Sequence, residues 1–345
     1  MDRRELNLQS TVVVVSAVVI ILAGIRAASA IVVPFLVSVF VATLAAPAVL
    51  WLHRHKVPKL VAILAVVLTV VGFLTLILNV VVNTMQDMNQ NLPAYQGRLE
   101  EQIESMKRTL GEIIGRMGLQ IDYTEILGDF NLPSLVSIAG STLLQFGNLL
   151  TKALLITLTV LFMLLEAFQL PAKLSKALGR TEETWAGFRE FAVSVQKYIA
   201  IKTATSFATG ACACIWVWIL DVDYPLFWGL LAFLLNYVPN IGSIIAATPA
   251  VLMAIVQHGA ATGLFVVLGY LVINLVIGSF VEPQFMGEGV GLSPLVVFGS
   301  LVFWGWMLGG AGMLLSTPLT ISVRIGLERY PETKWIATMI GSGKT

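Results

Sequence analysis

Apolar residues along this chain fall in long, nearly unbroken runs rather than in alternation, and those runs predict helices. Residues 11–25, 27–52 and 60–82 are separated only by Arg26 and by a short basic stretch with His53, Arg54, His55, Lys56 and Lys59. Residues 149–165, 203–220 and 260–281 follow the same habit. A bilayer hydrocarbon core about 30 Å thick needs on the order of 20 apolar residues per helical span, so the pattern predicts about six full transmembrane helices. Two further runs, residues 225–257 and 293–323, hold no Asp, Glu, Lys or Arg, yet each is broken near its middle, at residues 236–242 and at Gly309 and Gly310. Each is long for one span and barely enough for two. The expectation is a pair of helical re-entrant hairpins; two kinked helices, each crossing once, is the alternative.

Laying Thr248-Pro249 over Thr317-Pro318 places the Asn240, Ile241, Gly242 break on Gly309, Gly310, Ala311. Each copy then reads as an apolar aromatic half, a break, and a second apolar half carrying Thr-Pro. Charge orients them. Basic loops lie on the cytoplasmic side, so Arg3, Arg4 and the residue 53–59 stretch place the N-terminus inside. Asp221 and Asp223 precede the first hairpin, and Arg324, Arg329 and Lys334 follow the second, which predicts opposite orientations and a cytoplasmic C-terminus.

Between the third and fourth spans the chain turns polar, with eight acidic and four basic residues over 83–133. This acidic, extracytoplasmic segment carries Met85, Met88, Leu92, Tyr95, Leu99, Ile103, Met106, Leu110, Ile113 and Met117 at spacings of three and four, a single helical seam. The seam packs either on its own protomer or between subunits. Basic residues through Lys202, with Trp185, Phe188, Ala192, Val195 and Ile199 at helical spacing, predict a cytoplasmic interfacial helix. The expected divisions are therefore N-terminal helices over 1–82, the external segment over 83–135, a span and interfacial helix over 136–202, a transport core over 203–328 and a tail over 329–345.

Composition agrees with an all-α polytopic integral membrane protein: 57% of the 345 residues are hydrophobic and 12% charged, about half the charge of a soluble domain. A net charge of +1 offers no basic face for nucleic acid. Cys212 and Cys214 diverge on a helix and read as packing. No zinc-spaced Cys or His set, HExxH or Gly-x-Ser-x-Gly occurs, and the terminal Gly341, Ser342, Gly343, Lys344, Thr345 lacks the first glycine of a phosphate loop. The chain is expected to be no enzyme and to need no cofactor or metal.

Broken membrane helices leave backbone groups that only protein or a polar cavity can satisfy, which makes the breaks candidate contacts for a transported molecule. The candidates are Asn236, Tyr237, Pro239, Asn240, Gly242, Ser243, Thr248, Asn274, Gly309, Gly310, Ser316, Thr317 and Pro318. With so little fixed charge they suit a small, polar, uncharged ligand. Glu166, Lys202 and Glu282 are candidates for coupling or gating. The alternative for each is a charge at a helix end, at the headgroups or in solvent. A cation/proton antiporter using Glu166 or Glu282, and a membrane scaffold acting through the acidic seam, are the competing functions.

The motifs Trp228-Gly-Leu-Leu-Ala-Phe, Asn236-Tyr-Val-Pro-Asn-Ile-Gly-Ser, Glu282-Pro-Gln-Phe-Met-Gly, Gly291-Leu-Ser, and Phe303-Trp-Gly-Trp through Leu315-Ser-Thr-Pro-Leu-Thr closely resemble the autoinducer-2 exporter family of permeases. Leu161-Phe-Met-Leu-Leu-Glu166, Tyr198 and Lys202-Thr203 extend the resemblance over most of the chain. It implies an inner-membrane exporter of autoinducer-2, assembled as a homopentamer and working by an elevator-like movement of the hairpin region. It also implies a link to sodium/proton antiport through family relatives.

Overall fold

Inside a bilayer no water satisfies backbone N–H and C=O groups, so a chain this apolar must close its hydrogen bonds within helices. The structure is a computed structural model that describes residues 3–117, 153–167, 169, 173, 182–239, 241–286, 292–328 and 330–341. Its helices are α1 (Arg3–Ala27), α2 (Ser29–Arg54), α3 (Lys59–Met117), α4 (Ala153–Ala167), α5 (Glu182–Ile219), α6 (Pro225–Leu235), α7 (Ile241–His258) and α8 (Ala260–Ile273). A π-helix (Asn274–Val281) follows, then α9 (Glu282–Met286), α10 (Pro294–Glu328) and α11 (Lys334–Ile340). Among the described residues the one extended pairing is an isolated bridge between Leu292 and Gly341.

Six of these helices are long and apolar enough to cross a membrane: Ser29–Arg54, Lys59–Arg98, Val195–Ile219, Ile241–His258, Ala260–Phe285 and Leu295–Glu328. The number matches the six spans expected, but the membership differs. Ser16–Ala27 and Ala153–Ala167 are shorter apolar helices, and the 15 residues of α4 rise about 22 Å. Segments of the two broken runs take their places.

Two expected divisions fall inside helices. α3 runs 59 residues without interruption, straight through the change from apolar to acidic at residues 82–83. Pro93 is its only proline. Near its start the seam packs on its own unit: Tyr95 and Met85 join the core there, and Met88 is buried. Residues 118–135 of the acidic segment, and all the seam side chains from Leu99 onward, lie outside the described residues. α5 likewise merges the end of the predicted interfacial helix with the span expected after Lys202.

The chain divides into two compact units, one of Met1–Thr69, Thr151–Ile199 and Glu288–Thr345, the other of Val70–Leu150 and Ala200–Gly287. The expected core over 203–328 is thereby shared between them, with one broken run in each. In the first unit α2 buries Pro34, Ser38, Ala42, Ala45 and Val49, spaced by three and four, and α4 buries Ile156, Val160 and Leu164. The two helices pack together. Small residues on α2 allow a close approach where hydrophobicity alone cannot drive association. Ser38 Oγ donates to Pro34 O at 2.7 Å and reaches Ile156 O on α4 at 3.4 Å. In the second unit Phe227, Trp228, Leu231, Ala232 and Leu235 of α6 form one apolar core with Ala246, Ala250, Met253 and Ala254 of α7, Ala213 and Val217 of α5, and Val266 of α8.

Candidate functional site

In the second unit, Lys202, Thr205, Ser206 and Thr209 recur at i, i+3, i+4 and i+7, so α5 carries them on one face. All four are buried. Polar groups on a membrane helix are costly unless each finds a partner, and three of these four have one. Lys202 Nζ meets Glu282 Oε1 at 2.8 Å and Oε2 at 2.9 Å, with the two side chains 7% and 15% exposed. Thr205 Oγ1 donates to the same carboxylate at 3.3 Å. Asn236 Nδ2 donates to Ser206 Oγ at 3.0 Å, and beside this face Tyr237 OH donates to Thr203 Oγ1 at 2.8 Å. One helical face thus gathers the break between α6 and α7 and the carboxylate that opens α9.

Glu282 reaches that face through an unusual turn. The π-helix Asn274–Val281 widens the backbone spiral immediately before it, and such turns frequently mark functional sites. Asn274 opens the π-helix, and its Oδ1 lies against Gly278, where an added Cβ would be 3.2 Å away. Pro283 follows Glu282 within the continuous helix Ala260–Phe285, where its missing N–H removes one intrahelical bond.

Both broken runs fold back on themselves. In hairpin 1, α6 and α7 pack together, and Gly242 sits so close to the Leu235 carbonyl that a Cβ there would collide with it. In hairpin 2, which lies within α10, Gly309 takes φ 69° and ψ −151°. Trp304 Nε1 donates to Thr320 Oγ1 at 3.0 Å, although 16 residues of straight helix would separate them by about 24 Å. Gly312 lies against the Trp304 carbonyl just as Gly242 lies against that of Leu235. The same steric device, a glycine admitting a carbonyl of the opposite arm, closes both turns.

Their surroundings differ. Hairpin 1 is clamped at its base: Trp228 Nε1 donates to Asp223 O at 2.7 Å, Tyr95 OH donates to Asp223 Oδ2 at 2.9 Å, and Gln257 Nε2 also donates to that carboxylate. Asp221 and Tyr224 hold left-handed backbone there, at φ 56° and 62°, a strain that the network around them maintains. In hairpin 2 the tip is open. Gly309 and Gly310 are exposed with nothing within 4 Å of an added Cβ, and the Arg26 guanidinium lies 4.2 Å from the ring centre of Trp306.

Of the residues expected at the site, the structure brings Lys202, Asn236 and Glu282 together on one face of α5, with Tyr237 beside it. Gly242 is buried in its turn, and Pro239 and Ser243 are half-buried beside it. Thr248 is exposed and donates to Ile244 O at 2.8 Å. Asn240 lies outside the described residues. In the other unit Ser316, Thr317 and Pro318 are buried on the second arm of hairpin 2, where Ser316 Oγ donates to Met313 O at 2.8 Å. Glu166 belongs to none of these groups: it pairs with Lys173 at 2.6 Å, with the side chains 49% and 59% exposed, as a charge at the end of α4 does. Thr205, Ser206 and Thr209 were not singled out from the sequence, and Thr203 entered only within the motif Lys202-Thr203. Their signal was present in the four-residue rhythm after Lys202, hidden inside a run that scored simply as apolar.

A family model for AI-2E family transporters matches residues 15–332. The chain is 38% identical over 335 residues to the AI-2 transport protein TqsA of Escherichia coli strain K12, covering 97% of this chain and 96% of that protein. It is 35% identical to a putative transport protein of Haemophilus influenzae, covering 98% of each chain, and 33% identical to the putative transport protein YhhT of Escherichia coli strain K12, covering 95% and 93%. With broken apolar helices, a buried polar face and matches of this extent, the chain is a multi-pass membrane protein that belongs to the AI-2E family of transporters.

Proposed function

We propose that this protein is a secondary transporter of the bacterial inner membrane that exports a small, polar, uncharged signal molecule, autoinducer-2. The observation that carries this reading is the buried polar face of α5. In a unit whose core is otherwise apolar, Ser206, Thr203, Thr205 and Lys202 meet the break residues Asn236 and Tyr237 and the carboxylate of Glu282. Such a face supplies both donors and acceptors at a helix break, the chemistry that a polyhydroxylated molecule needs. Similarity to a protein named for AI-2 transport supports the choice of ligand.

In this reading the hairpins are re-entrant and inverted, because acidic residues precede the first and basic residues follow the second. Both termini are then cytoplasmic. Transport proceeds by an elevator-like movement of the hairpin region in a homopentamer. The test is signal accumulation outside cells carrying Asn236→Leu, with expression and thermal stability checked on the purified protein. Export should fall about tenfold, the loss expected when a ligand hydrogen bond at a buried site goes unmade. A folded variant that exports like the parent would place the site elsewhere.

The buried Glu282 carboxylate favours a second reading, cation/proton antiport, in which a cation or proton takes the place of Lys202. Sodium-driven proton movement in vesicles, abolished by Glu282→Gln, is its signature. Vesicles of the parent protein that show no such movement would remove it.

A further inference from the structure

Buried hydroxyl groups normally find a hydrogen-bond partner, and a native structure that leaves one unpaired does so for a reason. Among the described residues of the first unit, Thr317 Oγ1 is such a group: the residue is 5% exposed and the oxygen has no partner. A threonine in a helix can ordinarily turn its hydroxyl to a carbonyl three or four residues back. Thr248, its counterpart in hairpin 1, does this with Ile244 O. In hairpin 2 the four-back carbonyl is already taken, because Ser316 Oγ donates to Met313 O at 2.8 Å, and Thr317 Oγ1 makes no bond to the three-back carbonyl of Leu314 either. The next residue adds a second vacancy. Pro318 has no N–H, so the carbonyl of Leu314 lacks the donor four residues on that an α-helix supplies, as the Ile245 carbonyl does before Pro249. An unpaired hydroxyl and a carbonyl stripped of its donor therefore lie three residues apart on one helical face. Inside a membrane both are costly to leave unmet.

We infer that Thr317 Oγ1 and the Leu314 carbonyl together receive one hydroxyl group of the transported molecule, which accepts from the first and donates to the second. The pair thus selects for a neutral alcohol, and above all for a small polyol. This deepens the proposed function and rests on its claim that the transported molecule is small, polar and uncharged. It assigns hairpin 2 a ligand-facing role that the matching Thr-Pro of hairpin 1 does not share.

Stability and transport should therefore respond with opposite signs. Thr317→Val keeps the shape of the side chain while deleting an unpaired buried hydroxyl, so the melting temperature should hold or rise. Autoinducer-2 binding to the purified protein, measured by calorimetry, and export from cells should both fall about tenfold. Thr317→Ser, which returns the hydroxyl, should recover most of what Thr317→Val loses. A folded Thr317→Val protein that binds and exports like the parent overturns the inference. So does a parallel loss of stability and transport in both variants, which would mean that volume rather than the hydroxyl matters. A loss that appears only as altered sodium dependence also overturns it, in favour of a cation ligand. If the parent protein itself fails to bind autoinducer-2, the proposed function falls. The hydroxyl pair is then tested with glycerol and ribose, and the absence of any Thr317-dependent binding overturns it too.

Discussion

Hairpins 1 and 2 close with the same glycine-on-carbonyl contact, at Gly242 against Leu235 and at Gly312 against Trp304, yet their polar groups are in opposite conditions. In hairpin 1 the break residues Asn236 and Tyr237 are bonded to Ser206 and Thr203, the base is tied through Asp223, and Thr248 is satisfied by its own helix. In hairpin 2 the tip lies open, and Thr317 is buried with its hydroxyl unpaired. Matching sequence signals, a break followed by Thr-Pro, need not mean matching duties. A hairpin whose polar groups are met within its own unit has a framework that holds without a ligand. One with an unmet group keeps a reason to bind.

The sharpest way to break the comparison is to remove a partner on the side described as satisfied. Lys202→Ala leaves the Glu282 carboxylate buried without its counter-charge and should cost about 3 kcal/mol of stability, read as a lowered melting temperature in detergent. The double substitution Lys202→Met with Glu282→Leu removes both charges and should recover most of that loss without restoring transport. Recovery of transport as well would show that the pair is structural only.

Gly309→Ala should come next, at about 2 kcal/mol, since φ 69° with ψ −151° is a conformation that essentially only glycine adopts. With nothing within 4 Å of the new Cβ, the cost is backbone strain and not a clash. Among the described residues of the hairpin 1 break none has positive φ, so an unchanged Gly309→Ala protein would erase this distinction between the turns. The smallest effect belongs to Thr248→Val. It removes an exposed, internally bonded hydroxyl and should change stability by no more than about 0.5 kcal/mol. Export should stay within about twofold of the parent by the same reasoning. A loss as large as that of Thr317→Val would mean that the two Thr-Pro copies do the same work after all.

Much of the architecture was legible in the sequence because the bilayer leaves a chain few choices. Long apolar runs must be helices, and charge-free runs interrupted by Asn-Ile-Gly or Gly-Gly must break there. Other features were harder to read. The change from apolar to acidic at residue 82 looked like a boundary, but a change of composition does not by itself end a helix, and α3 continues through it. Glu166, Lys202 and Glu282 each read either as a coupling or gating group or as a charge at a helix end, at the headgroups or in solvent. Only packing separated them: Glu166 pairs with Lys173 at an exposed helix end, while Lys202 and Glu282, 80 residues apart, find each other in the interior.

By itself the sequence determined that this protein is helical, that it lives in a membrane, and where its helices break, since these follow from local composition and from the cost of an unpaired backbone in lipid. Which polar side chains meet was decided by the tertiary structure alone. A hydrogen bond depends on distances between residues far apart in the chain, and neither the partners of Asn236 nor the lack of one at Thr317 is written in the residues on either side of them.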